Sequence, residues 1–560
     1  MAKAKQELIR GVGTNRRTEG DYMAALLDTV TLDDWRDVVA GALQLAKGGD
    51  AQARERDAVA RIELYEQCVA STLVALRDAG VPTTEGYWRE AIDRYAQLIQ
   101  RRPDSDFHRT FFNSVTRDLF GTVGVNAAVE FCATHMGHAS GQVPLRIHPV
   151  GRSLRAAVPE VLAELPFADV LAAPEQAARR VTSELERHFD TRAASAAPTS
   201  IELLEPVFYR GNEALLVGRL VGDGSVTPLV VVFRRGADGA EVQDVLLSRN
   251  EISAQFGYAN TYFHVDLPVV GAAVTLLRSF MPHKPVDELY TVLGRAKQGK
   301  TERYFALRRH LDRSIDAFVH APGERGLVMI VFTLPSHDLV FKVIRDNFGA
   351  PKHATREEVM DRYRFVFRHD RAGRMVDAQE FRRLRLPRAR FMPQLAEELL
   401  REANHSCRAE GDDLVVEHCY VERRLRPLNL FLREAEPAAA EAAVIDYGNA
   451  LRDLAATHIF AGDLLLKNFG VTRHGRVIFY DYDEVAALES CVFRELPQAQ
   501  TDEEETAAEP WFHVGPNDVF PEQWLPFLAL PDPLREVFLA EHAELLTARW
   551  WRERQQAALN

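Results

Sequence analysis

Four residues in the stretch FAGDLLLKNFGVTRHGRVIFYDYDE, residues 460–484, have types and spacing suited to phosphoryl transfer. Asp463 and Asn468 stand in the order D-x4-N. Asp481 and Asp483 follow, after two strand-like runs, FGV and VIFY, around the polar turn TRHGR. Magnesium prefers oxygen ligands and usually takes only a few from protein, with phosphates and water supplying the rest. An Asn and an Asp at the base of one hairpin can converge on one such ion, so Asn468 and Asp481 are the expected metal ligands. An Asp on the preceding loop can accept the proton of an attacking hydroxyl, the role expected of Asp463. Taken singly, these residues fit a surface hairpin with well-spaced carboxylates equally well.

The elements that must position them lie upstream. In HAPGERGLVMIVFTLPSHDLVFKVIRDNF, a loop with Gly323 and Gly326 opens a strand, PSHD turns the chain, and a second strand carries Lys342 among apolar neighbours. A glycine loop lets backbone N–H groups approach phosphates, and a strand lysine sets a fixed positive charge against them. Glycines in a hairpin usually mark only a turn, but a lysine inside an apolar strand needs a partner for its charge. The charged helix TREEVMDRYRFVFRHD follows and offers Glu357 or Glu358 as that partner; spacing does not choose between them. Then DLVVEHCYVERRLRPLNLFL runs as an apolar strand into a junction. Protein kinases pass between lobes at this point and bind adenine through the backbone, which makes Cys419, Tyr420 and Val421 the expected hinge.

The order of parts (glycine loop, strand lysine, helix, hinge, D-x4-N, hairpin, Asp) is that of the protein kinases. There are departures: AGD stands for HRD, DYD for DFG, and Lys467 adjoins Asn468. Gly-Asp before the loop and D-x-D after it also occur in small-molecule kinases of the aminoglycoside and choline type. The spacing therefore predicts a kinase-like fold and leaves the substrate open, with a small-molecule kinase as the alternative.

Around this core the predicted class is α+β. Residues 20–135 repeat apolar positions at three- and four-residue steps, a helical signal, as do 155–198. The segment IELLEPVFYRGNEALLVGRLVGDGSVTPLVVVFRR reads as a small β-meander, and helices return in LPVVGAAVTLLRSFMP and ERYFALRRHLDRSIDAFVH. The expected organisation is a mostly helical regulatory domain, 1–318, and a bilobal protein-kinase-like domain, 319–560, with lobes 319–422 and 423–560. The acidic stretch PQAQTDEEETAAEP is expected to be an exposed loop. Bulk properties narrow the class further. Of 560 residues, 46% are apolar, yet no run approaches the roughly 18–20 that span a bilayer. The segment MAKAKQELIRGVGTNRR lacks the apolar stretch of a secretory leader. The five cysteines are scattered, which fits a reducing compartment and neither a disulfide frame nor a structural zinc site. A net charge of −13 disfavours nucleic-acid binding by the whole chain.

Longer motifs carry a specific resemblance. APGERGLVMIVFTLPSHDLVFKVIRD, HDRAGRMVDAQEF, YVERRLRPLN and GDLLLKNFGVTRHGRVIFYDYDE, with LSRNEISAQFGYANTYFHVDLP and AKQGKTERY upstream, closely resemble the isocitrate dehydrogenase kinase/phosphatase family over nearly the whole chain. The resemblance implies a bacterial cytoplasmic enzyme that phosphorylates a serine of isocitrate dehydrogenase and removes that phosphate, directing isocitrate into the glyoxylate bypass. It implies Mg²⁺, ATP (and ADP), an accompanying ATPase activity, an allosteric AMP site near the domain junction, and isocitrate dehydrogenase as partner. It implies no nucleic acid and no membrane, and leaves room for a homodimer. Carried over by motif, the ATP loop is Ala321, Pro322, Gly323, Glu324, Arg325, Gly326 and Leu327, and Lys342 contacts the nucleotide. Asp463 is the kinase base, Asn468 and Asp481 hold magnesium, and Asp483 joins their acidic cluster. Asp377, in GRMVDAQEF, matches an aspartate implied for phosphatase work. Where the resemblance implies paired glutamates before YGNA, this sequence has Ile445 and Asp446.

A second phosphate motif competes. GRAKQGKT, residues 294–301, fits G-x4-G-K-T in full. A true P-loop follows a buried strand and opens a helix, whereas the preceding VDELYTVL has helical spacing. A basic helix–helix connector is the expected structure. EFRRLRLPRARF is similarly read as a solvated basic face rather than a docking surface.

Overall fold

The computed structural model describes residues 51–559 except 101, 103, 133–143, 152, 191–196, 211–212, 223, 237, 258–261, 268, 350–353, 370–372, 499–500 and 502–510. The helices expected before residue 50, and most of the acidic stretch near 505, lie outside the described residues. The chain divides into two compact units between Asp312 and Arg313, a few residues before the boundary expected near 318. Among the described residues, no helix is long and apolar enough to cross a membrane.

The first unit is helical around one sheet. Helices α1 (Ala51–Asp78), α2 (Glu85–Ile99) and α3 (Ser105–Phe120) share an aromatic core that includes Trp88, Tyr95, Phe111 and Phe112. Strands β1 (Leu145–Pro149), β2 (Ser200–Leu204), β3 (Phe208–Arg210), β4 (Glu213–Gly222), β5 (Ser225–Arg235) and β6 (Ala240–Leu246) form an antiparallel sheet in the order β1-β2-β4-β5-β6, with β3 beside β4. The β4 and β5 interiors are apolar on both sides, LLVG and LVVVF. One face buries against helices α4 (Leu154–Ala163) and α5 (Pro174–Asp190), the other against the core of α6 (Arg249–Gln255), α7 (Val270–Phe280) and α8 (Val286–Val292). Helix α9 (Ala296–Arg313) ends the unit.

GRAKQGKT is not a phosphate loop. Helix α8, not a strand, precedes it, and α9 begins at Ala296. Gly299 lies inside α9, where a Cβ would come within 2.1 Å of Thr291 Oγ1. That glycine serves close packing of the two helices.

The second unit opens with a sheet in the order β10-β12-β9-β8-β7, with β11 beside β12 and every pair antiparallel. Its strands are β7 (Val319–His320), β8 (Met329–Thr333), β9 (Leu339–Ile344), β10 (Gln379–Pro387), β11 (Cys407–Glu410) and β12 (Asp413–Arg423). Helix α10 (Arg356–His369) lies between β9 and β10 in sequence, and α11 (Pro393–Glu402) between β10 and β11. Tyr363 of α10 stacks on Tyr420 of β12 with centroids 3.8 Å apart, which fixes the helix to the sheet. Beyond β13 (Arg426–Pro427), the chain forms α12 (Leu428–Glu434), α13 (Pro437–Ala456), β14 (Ile459–Phe460) and the hairpin β15 (Phe469–Val471) with β16 (Val477–Phe479). The hairpin packs on α13 and the C-terminal helices in one core with Phe469, Phe479, Tyr447 and Trp551.

Candidate active site

One cleft in the second unit collects most of the residues singled out by spacing. Ala321 to Leu327, Lys342, Asp463, Asn468, Asp481 and Asp483 all line it. Each is delivered by a different local device. The glycine loop joins β7 to β8, and Gly323 takes φ +119°, a conformation that side-chain-bearing residues avoid. The loop is tied to α11. The Arg345 guanidinium donates to Gly326 O at 3.3 Å and to Glu398 at 2.7 Å, and Glu398 also bonds His320 at 2.6 Å. Burial alone would raise the Glu398 carboxyl, but the hydrogen bonds from His320 and Arg345 outweigh it and hold the group below its ordinary range. The loop also meets Lys467, whose ammonium lies 3.2 Å from Glu324.

The Asp463 loop closes on itself. Asp463 Oδ1 accepts from Leu465 N at 3.0 Å, and Asn468 Nδ2 donates to Asp463 O at 3.2 Å. Buried Tyr447 donates its hydroxyl to Leu464 O at 2.6 Å; burial, then the Asp463 charge, push its pKa up and keep it a donor. Gly462 sits at φ +78°, where a Cβ would lie 2.2 Å from Glu484 O. The Asp463 loop therefore packs backbone to backbone on the DYDE turn. Tyr480 N donates to Asn468 O at 3.1 Å, bringing the foot of the hairpin beside Asn468. From α10, Arg362 donates to Asp483 O.

Lys342 is buried, and its partner is Glu422 at 2.9 Å. The ammonium also donates to Tyr480 O at 2.5 Å and faces the Tyr480 and Tyr482 rings. This corrects the expectation of a helix glutamate. Glu357 and Glu358 are exposed, and Glu358 is spent on its own helix terminus. Thr355 N donates to Glu358 at 2.7 Å, and Glu358 N to Thr355 Oγ1 at 3.2 Å. That is a capping box, legible as T-x-x-E in TREE.

The hinge expectation also needs correcting. Cys419, Tyr420 and Val421 are buried in mid-β12, where Tyr420 and Val421 pair with β10 on one side and β9 on the other and Cys419 pairs with β10. They do not line the cleft; Glu422 to Leu425 do. The strand runs on because Glu422, which reads as a polar end, is buried against Lys342.

Asp377 is half-buried outside the cleft lining, on the segment leading into β10, and accepts from Gln379 Nε2 at 3.0 Å. Asp446 forms a bidentate pair with Arg374 at 2.8 and 2.9 Å and accepts from Val477 N at 2.6 Å. It therefore ties α13 to the hairpin. The neighbouring Ile445 accepts from His542 through its carbonyl at 2.8 Å. In EFRRLRLPRARF, Arg382 pairs with Glu380, Arg385 with Glu410 and Asp413, and Arg390 donates to Ser314 O and Asp316 O. These arginines serve the fold.

Among the described residues, no set of three His, Cys, Asp or Glu side chains is placed as a metal cage. Magnesium does not require one, because an amide oxygen and one carboxylate suffice when phosphates and water complete its shell. Asn468 and Asp481 on one cleft wall fit that donor set. Chemically the cleft suits phosphoryl transfer: a cation and a glycine loop to bind phosphates, oxygen ligands for a metal, and a carboxylate on a fixed loop.

Comparison with known proteins gives the class and then the family. The model of the isocitrate dehydrogenase kinase/phosphatase (AceK) kinase domain matches residues 316–560, and that of the regulatory domain of the same family matches 31–315. Proteins named isocitrate dehydrogenase kinase/phosphatase are similar over most of the chain. That of Anaeromyxobacter sp. (strain Fw109-5) is 47% identical, covering 91% of this chain and 88% of its own. That of Xanthomonas axonopodis pv. citri is 45% identical, over 93% and 91%. That of Bordetella bronchiseptica is 39% identical, over 91% and 87%. The chain belongs to the isocitrate dehydrogenase kinase/phosphatase family.

Proposed function

We propose that the protein transfers the γ-phosphoryl group of Mg-ATP to a serine of isocitrate dehydrogenase and also removes that phosphate, setting flux between the tricarboxylic acid cycle and the glyoxylate bypass. The observation that carries this reading is the meeting of Lys342, Asp463, Asn468 and Asp481 in one cleft under the Ala321–Leu327 loop, in a chain with relatives of that name. The unit is read as a bilobal kinase-like domain, 319–560, with lobes 319–422 and 423–560, after a regulatory domain, 1–318.

In the forward reaction, Lys342 and the loop would hold the nucleotide phosphates, and Asn468 and Asp481 would hold a magnesium ion that neutralises phosphate charge. Asp463 accepts the serine proton as the serine oxygen bonds to phosphorus and the bond to ADP breaks. In reverse, a water oxygen bonds to the phosphoserine phosphorus and the phosphorus–serine bond breaks. Serine regains a proton and inorganic phosphate leaves. Asp377, which stands outside the cleft lining, serves dephosphorylation, and Asp483 supports the acidic cluster. Both reactions use one metal and one pocket. AMP acts as an allosteric regulator, and the enzyme works in the cytoplasm; a homodimer is compatible with this reading.

The test is incubation with isocitrate dehydrogenase, ATP and Mg²⁺, following phosphoserine and its removal once AMP or ADP is added. Transfer to a small molecule in a metabolite panel, with none to the dehydrogenase, would overturn the reading in favour of a small-molecule kinase.

A further inference from the structure

The middle residue of Asp481-Tyr482-Asp483 carries a hydroxyl that its packing does not require. Tyr482 is fully buried. Its ring meets Tyr363 and Phe479 edge-on, with centroids 5.2 and 5.4 Å apart, contacts a phenylalanine would make equally. The hydroxyl donates to Val376 O at 2.7 Å, with Phe479 O more distant at 3.3 Å.

Val376 immediately precedes Asp377. Val376 N donates to Phe479 O at 3.2 Å, and Phe479 N donates to Arg374 O at 2.8 Å, so this segment runs along β16 as a short parallel bridge. Arg374 is itself locked by Asp446 and Asp453. The next link toward Asp377 is the peptide that joins it to Val376. That peptide is planar, so holding its carbonyl oxygen also fixes the nitrogen and Cα of Asp377. The Tyr482 hydroxyl donates to that oxygen.

We propose that Tyr482 is a positioning residue for Asp377, through which the turn bearing Asp481 and Asp483 fixes the backbone that carries the carboxylate used in dephosphorylation. This rests on the role of Asp377 given above. A tyrosine in place of the kinase phenylalanine thereby links the metal turn to a second carboxylate outside the cleft lining.

The test uses Tyr482→Phe and Asp377→Asn in the full chain, with phosphorylation of isocitrate dehydrogenase and phosphate release from its phosphorylated form measured on each. For Tyr482→Phe the phosphatase-to-kinase ratio falls about fivefold, the factor carried by one ordinary hydrogen bond. For Asp377→Asn it falls further. Tyr447→Phe, which removes the buried hydroxyl that supports the Asp463 loop, lowers both activities together. An unchanged ratio in Tyr482→Phe, or the same shift in Tyr447→Phe, overturns the positioning role while the role of Asp377 stands. An unchanged ratio in Asp377→Asn overturns the role of Asp377 and the inference with it.

Discussion

Lys342 and Glu422 sit diagonally across the β9–β12 pair, 2.9 Å apart and both almost wholly buried. Removing one partner of such a pair strands the other charge, which typically costs about 3–5 kcal/mol. Glu422→Ala should therefore lower the denaturation midpoint strongly and abolish phosphoryl transfer. Glu357→Ala, on an exposed helix face, should shift stability by less than about 0.5 kcal/mol. Denaturant melts of both variants check this, and a large effect at Glu357 with none at Glu422 would reverse the assignment.

Asp481→Ala should remove kinase and phosphatase activity together, because the proposal gives both reactions one metal. Assays of each direction at saturating Mg²⁺ decide it. Phosphatase activity surviving at the wild-type level would require a separate site.

Glu398 braces the Ala321–Leu327 loop by bonding His320 and Arg345, and Arg345 in turn holds Gly326 O. Glu398→Gln keeps the shape and loses the charge. Hydrogen bonds to charged groups contribute about 1.5–3 kcal/mol, so KM for ATP should rise roughly tenfold, and more than kcat falls. KM for isocitrate dehydrogenase should move little. A change confined to kcat would place Glu398 elsewhere in the reaction.

Lys300→Ala tests the decoy motif. Lys300 lies in the first turns of α9, behind a helix rather than a strand. Basal phosphoryl transfer should persist in this variant. Complete loss of ATP hydrolysis would restore the P-loop reading.

Glu380 gives an acid-dependent signature. Burial opposes its ionisation, but the His418 ring 3.0 Å away and the hydrogen bond from Arg382 prevail and pull its pKa down to about 2. A carboxyl depressed in the folded state adds stability that is present above its unfolded pKa of about 4.3 and is lost as pH falls toward the folded value. Glu380→Gln should therefore melt below the wild type at pH 7, and the gap should close between about pH 4.5 and 2. A gap independent of pH would show that the charge is not its source.

The parts of the site that were legible are those whose geometry is local. The D-x4-N loop is closed by bonds between its own residues, so its spacing carries its shape. The glycine loop and strand lysine are similarly written in one short run. The lysine's partner was hidden because it is paired across a sheet, far along the chain. Buried Glu422 also looks like the polar end of a strand, and that displaced the expected hinge onto Cys419–Val421. One missed feature had a signal: T-x-x-E before an apolar run marks Glu358 as a helix cap. The ties through Arg362, Arg345 and Glu398 had none, since an arginine on a charged helix or strand end reads as solvated. The α+β class and the meander followed from apolar periodicity.

Gly462 has a consequence for how this protein can change over time. A side chain there would collide with Glu484 O and force an unfavourable φ. The position is shut to every other L-residue, so neither loop can drift in sequence or shape without the other following. Two opposed reactions built on those loops inherit a single alignment. Lineages that tune the balance between them must do so through side chains that leave this backbone contact intact.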